Sequence, residues 1–212
     1  MNWYALTAPF YETIFVNPIS RHHRNLAVEA LQLRPGLTVL DLACGTGMNF
    51  ANIIAGIGPQ GTLIGTDYSA EMLAQAQQRI ARSGWGNVHL LQADAAQLSR
   101  PALISLTGKP DLKIDRVLCT LGMSVIPEWE RAFERSFELL ASGGRYVIMD
   151  YFFERRTLYT QMTAALLHAD ATRRFWEPLE RRCRDYTEVN VMPSIFKDWP
   201  NAGAAIIASG TK

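Results

Sequence analysis

The sequence predicts an α/β domain: a parallel sheet with helices on both of its faces. Three observations carry that prediction. From residue 36 onward, short apolar runs alternate with longer amphipathic stretches. The runs are nearly continuous and rich in branched residues, as strands buried on both faces are. Glycine or proline marks most junctions between them. With 48% apolar residues in 212, the chain also holds enough material for one large core.

The first 30 residues read as one or two helices ahead of the sheet. "LTVLDLA" (37–43) is the first strand, opened by the turn at Pro35-Gly36. "GMNFANIIAGI" follows as a helix that ends at Gly58-Pro59. "GTLIGTDY" is the second strand. "SAEMLAQAQQRIAR" is a helix with Ser69 as N-cap, Glu71 in its first turn and Gly84 past its end. "NVHLLQAD" and "IDRVLCTL" are the third and fourth strands. Pro127 opens the helix "EWERAFERSFELLA", Gly143-Gly144 closes it, and "RYVIMDYF" is the fifth strand. A long helix is expected over roughly 154–176, then two closing strands in "DYTEVNVMPSIF" and "AGAAIIASG". No stretch resembles a linker, so 1–212 is expected to form a single domain.

Composition narrows the function. A net charge of +1 gives no bulk attraction for nucleic acid. Cys44, Cys119 and Cys183 are odd in number and scattered, which fits neither a disulfide framework nor a zinc site and suits a reducing cytosol. The N-terminus lacks a basic n-region, and no run of ~18 apolar residues exists, so a cytoplasmic location without a membrane span is expected.

Ligands of open parallel sheets sit beyond the carboxyl ends of the strands, at the switch point. The turn "ACGTG" after the first strand is the place to look, because Gly45 and Gly47 permit positive φ and close approach of the backbone. A dinucleotide site would put an acid ~20 residues further on, and Asp67 fits that. Its third glycine, however, would fall at Phe50, and no Lys-Ser/Thr pair completes a P-loop. A nucleoside without pyrophosphate remains. It calls for a carboxylate for ribose hydroxyls (Asp67), polar contact for an adenine edge (Asp94 with the N–H of Ala95) and an acid for an ammonium (Asp41). Asp41 and Asp94 also read as helix caps, so both alternatives stand for them.

"VLDLACGTG", "GTDYSAEML", "LQADAAQL", "IDRVLCTLGMSVIPEW" and "LLASGGRYVIMDYF" together resemble the successive motifs of class I S-adenosylmethionine-dependent methyltransferases, over residues 35 to about 152. Two departures stand out: Ala43 replaces the usual glycine, and Ser142 precedes Gly143-Gly144 where the family has proline. The resemblance implies a Rossmann-like doubly wound sheet of seven strands, order 3-2-1-4-5-7-6, with strand seven antiparallel. It implies S-adenosyl-L-methionine as cofactor and no metal. Asp41, Ala43, Cys44, Gly45, Thr46 and Gly47 would line the methionine portion. Asp67, Tyr68 and Met72 would hold the ribose and one adenine face, Asp94 and Ala95 the adenine edge, and Thr120 and Leu121 would border the sulfonium. Residues 1–34 would form a helical lid, 35–152 the cofactor core and 153–212 a closing helix and strands.

Methyl transfer from a sulfonium needs alignment above all, and a general base only where the acceptor must lose a proton. Candidates near the acceptor are Tyr11, His22, His23 and Asp150; Tyr11 also reads as one of several packed aromatics, and the "RHHR" cluster, as such clusters more often are, as a solvated helix face. The expected acceptor is a small molecule or lipid headgroup. The layout is similar to two groups, the ubiquinone/menaquinone C-methyltransferases and bacterial phospholipid N-methyltransferases. Seven arginines between Arg155 and Arg184 suit either a membrane-surface helix or an ordinary solvated face. Two other classes stay open: an NAD-dependent oxidoreductase, disfavoured by Phe50, and a catalytically silent adenosylmethionine-binding regulatory protein.

Overall fold

The computed structural model describes residues 18–154, 157, 161, 169–192 and 203–212. Its elements are α1 (Pro18–Ala30), β1 (Thr38–Leu42), α2 (Phe50–Ile57), β2 (Thr62–Asp67), α3 (Ala70–Ser83), β3 (Val88–Gln92), α4 (Arg100–Thr107), β4 (Ile114–Thr120), α5 (Trp129–Leu139), β5 (Leu140–Phe152), α6 (Glu177–Arg182), β6 (Arg184–Asn190) and β7 (Ala204–Thr211). The sheet order is β3-β2-β1-β4-β5-β7-β6. β1 to β5 pair in parallel, and β7 runs antiparallel between β5 and β6. The doubly wound, seven-stranded α/β fold is as the sequence predicts.

Alternation along the strands divides the core in two. Leu40, Leu42, Val117, Cys119, Tyr146 and Ile148 pack on one face with Leu103, Phe133 and Phe137 from the helices. Val39, Leu63, Leu118, Val147 and Met149 pack on the other with Ala27, Val28, Ile53, Ile57, Leu73 and Ala76. α1 is therefore part of the domain core. The last carbonyls of a helix lack intrahelical donors. Here Arg145 Nε donates to Ala30 O (2.7 Å) and Arg116 Nε to Leu31 O (2.6 Å), which pins the end of α1 to β5 and β4.

Three expectations are corrected. α5 stops at Leu139, before the Gly143-Gly144 pair, because Leu140 is already extended and pairs with Ile114. The glycines bend the strand instead: Gly143 has φ 75° and donates to Lys212 O. α4 was not expected; only Leu103 of its eight residues is buried, so it shows no apolar stripe to read. Residues 169–176 are turns, with Thr172 N–H and Oγ1 both donating to Asp170 Oδ1, and the helix begins at Glu177 with Pro178 in its first turn. Most of the long helix expected over 154–176 lies outside the described residues, as do the end of "DYTEVNVMPSIF" and the N-terminal segment before Pro18.

Candidate functional site

The sheet switches direction between β1 and β4, and the residues singled out from the sequence gather at that edge. The turn after β1 has Ala43, Gly45 and Gly47 at φ 54°, 55° and 77°. Cys44 N–H donates to Thr66 O (2.9 Å) and Gly47 N–H to Cys44 O (3.0 Å), tying the turn to β2 and to itself. Phe50, the first residue of α2, explains the missing third glycine. Its ring lies beneath the turn in the space that Gly47 and Gly65 leave free; a Cβ there would come within 2.6 and 2.8 Å of the ring.

Asp67 fixes two elements at once. Its Oδ2 accepts from Gly45 N–H (2.8 Å) and its Oδ1 from Ser69 N–H (2.9 Å), next to the Ser69 cap of α3. Burial raises its pKa, and the Ser69 and Gly45 bonds oppose that. With Tyr68 as a third backbone donor, the carboxylate still has more lone pairs than donors and so keeps acceptor capacity. Tyr68 is 73% exposed, whereas Met72 is buried in the core. Asp94 caps a single 3-10 turn at Ala95–Gln97, accepting from Ala96 N–H (2.9 Å) and Gln97 Nε2 (3.1 Å). The cap reading thus holds for Asp94, and its carboxylate retains further acceptor capacity.

Asp41 has no contact with water. Burial pushes its pKa up to about 7, against the hydrogen bonds from Asn49 and the attraction of Arg24; Asp67 adds repulsion. Asn49 Nδ2 donates to both Asp41 oxygens (3.3 and 3.2 Å) and to Thr120 Oγ1 (3.0 Å). Arg24 Nη1 donates to Thr120 Oγ1 (2.5 Å) and reaches Asn49 Oδ1 at 3.5 Å. The buried set Asp41–Asn49–Thr120–Arg24 so joins β1, the glycine turn, β4 and α1. Arg24 and Asn49 were missed from the sequence. The available signal was Arg24 in register with Ala27, Val28 and Leu31 on the apolar stripe of α1.

Beyond β4 and β5 lie the acceptor-side candidates. Leu121 has φ 57° and donates its N–H to Met149 O (2.7 Å). Asp150 is buried and accepts from Ser124 N–H (2.9 Å), Ser124 Oγ (2.9 Å) and Tyr151 N–H (2.8 Å). Burial raises its pKa to about 6 against those bonds. It holds the loop after β4 in place. The two histidines separate: His22 is exposed on α1, and His23 is buried with Nδ1 3.3 Å from Tyr151 Oη. Burial, with His22 nearby, keeps the His23 imidazole below its ordinary pKa. Tyr11 lies outside the described residues. Cys44 and Cys119 are buried thiols whose pKa burial raises well above the usual range, so they are packing groups.

The family described as a methyltransferase domain matches residues 39–144, half of the 212, from β1 to the bend in β5. The chain belongs to that family. Demethylmenaquinone methyltransferase of Desulfitobacterium hafniense is 28% identical over 128 residues, 60% of this chain and 47% of the relative. Arsenite methyltransferase of Halobacterium salinarum is 29% identical over 118 residues, 56% of this chain and 28% of the relative. The chain thus spans half or less of the length of these curated relatives. Among solved structures, phosphoethanolamine N-methyltransferase 2 of Haemonchus contortus, bound to phosphomonomethylethanolamine and S-adenosylhomocysteine, superposes with a TM-score of 0.74 at 15% identity, covering 98% of this chain and 57% of that one. Geranyl diphosphate C-methyltransferase of Streptomyces coelicolor, with geranyl diphosphate, Mg2+ and S-adenosylhomocysteine, gives 0.72 at 12% identity, covering 90% and 78%. At those identities the likeness is one of fold.

Family and fold together make this a class I S-adenosylmethionine-dependent methyltransferase domain. Its residues fit that cofactor. A Cβ at Gly45 would meet nothing within 4 Å, so the turn borders open space. Around it stand an acid with free lone pairs at the end of β2, and an acid and an arginine at the β1–β4 switch.

Proposed function

We propose that this domain transfers the methyl group of S-adenosylmethionine to a small-molecule or lipid-headgroup acceptor. The observation that carries the reading is the convergence of the glycine turn, Asp67 and the Asp41–Arg24 set on the switch point of a methyltransferase sheet. In the proposal, Asp67 receives the ribose hydroxyls, and Asp94 with Ala95 N–H the adenine edge. Tyr68 and Met72 border the adenine, and residues 41–47 take the methionine portion. The cofactor supplies an electrophilic methyl on a sulfonium. The chain supplies orientation: Thr120 and Leu121 at the end of β4 border the reacting centre, and Asp150 holds the Ser124 loop beside it. Alignment of this kind lowers a barrier by several kcal/mol without any catalytic acid or base.

Calorimetry with S-adenosylhomocysteine, S-adenosylmethionine and NAD tests the cofactor. Binding of NAD without either adenosyl ligand would overturn the proposal in favour of an oxidoreductase. The acceptor is sought with methyl-labelled cofactor against a panel containing demethylmenaquinone, phosphoethanolamine and phosphatidylethanolamine vesicles. The relatives of 28–30% identity named as quinone C-methyltransferases support the first compound, and the phosphoethanolamine enzyme among the structural neighbours supports the others. Cofactor binding with no transfer across a broad panel would favour the silent, regulatory reading.

Peripheral membrane contact is the weaker part of the proposal. Arg174 and Arg181 pair with Glu177, Arg182 pairs with Glu134, and Arg173 donates to Met123 O and Ile126 O. Arg173 is thus engaged within the fold, while Arg174 and Arg181 sit in exposed pairs within their own turn or helix; Arg155 and Arg156 lie outside the described residues. Retention on anionic vesicles at low salt, released near 0.1 M salt where screening acts within about 10 Å, would support lipid contact.

A further inference from the structure

Arg24 is a buried cation, 8% exposed, that uses one of its three nitrogens. Its hydrogen bonds among the described residues all leave from Nη1, to Thr120 and Asn49. Its Nε is buried without a partner, one of two such side-chain atoms among the described residues. Nε–H and the neighbouring Nη2–H form one edge of the guanidinium, the fork that meets a carboxylate through two parallel bonds. That edge is free. A buried charge with unmet donors is costly and calls for a partner. Among the described residues none provides one: Asp41, which feels the charge of Arg24, has both oxygens turned to Asn49 Nδ2.

We propose that Arg24 is the anchor for the α-carboxylate of the cofactor's methionine tail, and that Asp41 and Arg24 together read its zwitterion. The inference rests on the cofactor reading above. An α-amino acid carries an ammonium and a carboxylate on one carbon. The set at the β1–β4 switch offers an acid and a base on either side of Asn49, beside the glycine turn. Thr120 and Asn49 hold Nη1 and so aim the fork, which makes them positioning residues. Because Arg24 belongs to α1, binding would also fasten α1 to the glycine turn and β4.

The test compares S-adenosylhomocysteine with its decarboxylated analogue by calorimetry. The wild-type protein should prefer the carboxylated ligand by roughly tenfold or more, the order expected for a charge-assisted bidentate contact. Arg24→Met should lose that preference, weakening S-adenosylhomocysteine by roughly tenfold more than the decarboxylated ligand. Arg24→Lys, a point charge without a fork, should keep part of it. Equal binding of both ligands by the wild type would overturn the proposal without any variant, as would an unchanged preference in Arg24→Met. Wild-type protein that binds neither ligand would instead bring down the cofactor reading itself.

Discussion

Asp67 uses its two oxygens to hold Gly45 and Ser69, so its removal should act twice. Asp67→Ala is expected to lower S-adenosylhomocysteine affinity at least tenfold, since hydrogen bonds to a charged group contribute roughly 1.5–3 kcal/mol each. Calorimetry measures this, and an affinity within about twofold of wild type would reduce Asp67 to a fastener of the turn. Asp41 leads to a pH dependence. An unfolded aspartate titrates near pH 4, whereas burial lifts Asp41 to about 7 and Asp150 to about 6. Between those values the folded chain holds protons that the unfolded chain has released. The stability these groups contribute is therefore fully present below about pH 4 and lost as pH rises through 6 to 7. Melting temperature of the unliganded protein should fall over that window, and Asp41→Asn should flatten the fall. An unaltered slope would place the titration elsewhere. The position of Asp67 was legible in the sequence because it ends an apolar run just before a capping serine. Arg24 was legible only as a charge in register with the apolar stripe of α1; that it is buried follows from tertiary packing.

At the level of elements, the glycine turn is set by Phe50. Gly47 has φ 77° and no room for a Cβ against that ring. Gly47→Ala combines left-handed strain with overpacking and should cost about 2–4 kcal/mol in urea unfolding. A cost under about 1 kcal/mol would mean that the ring can move aside. Ala43 presents the reverse case. It sits at φ 54°, and its methyl fits because Gly122 has no side chain; a Cβ on Gly122 would lie 2.9 Å from it. Ala43→Gly should relieve strain of about 1–2 kcal/mol, partly offset by greater freedom in the unfolded chain. The expected outcome is a melting temperature raised by up to about 3 °C. A lowered one would show that the methyl does more in packing than its backbone loses. The strands were legible from their apolar runs, and α3 from its serine cap and terminal glycine. α4 was hidden by having one buried residue, and the end of α5 by a strand that starts before its glycines do.

Across the whole molecule, α1 belongs to the core and carries Arg24, and the acceptor candidate Tyr11 precedes it in the sequence. A protein lacking residues 1–17 should fold and bind S-adenosylhomocysteine, yet fail to transfer methyl to whichever acceptor the panel yields. Full transfer by the shortened protein would refute a covering role for that segment. A cut at residue 24 would be uninformative, since it would also remove Arg24 and half of α1. The core of this architecture was legible because its motifs come in order along the chain. The acceptor was not, since the acceptor-side candidates are few, and Asp150 among them is occupied in holding a loop.

The antiparallel strand also imposes an order in time. Among the described strands β6 has one neighbour, β7, and β7 joins the rest of the sheet through β5. Residues 184–190 are made before 204–211, but they cannot join the sheet ahead of them. During synthesis β5 and β6 are both complete strands while the strand that must lie between them does not yet exist. Each presents an unpaired edge in that interval, the kind of surface that pairs with a neighbouring chain when its own partner is late. The hairpin of β6 and β7 then closes the sheet in one step, so the last strand to appear decides when the molecule stops being at risk.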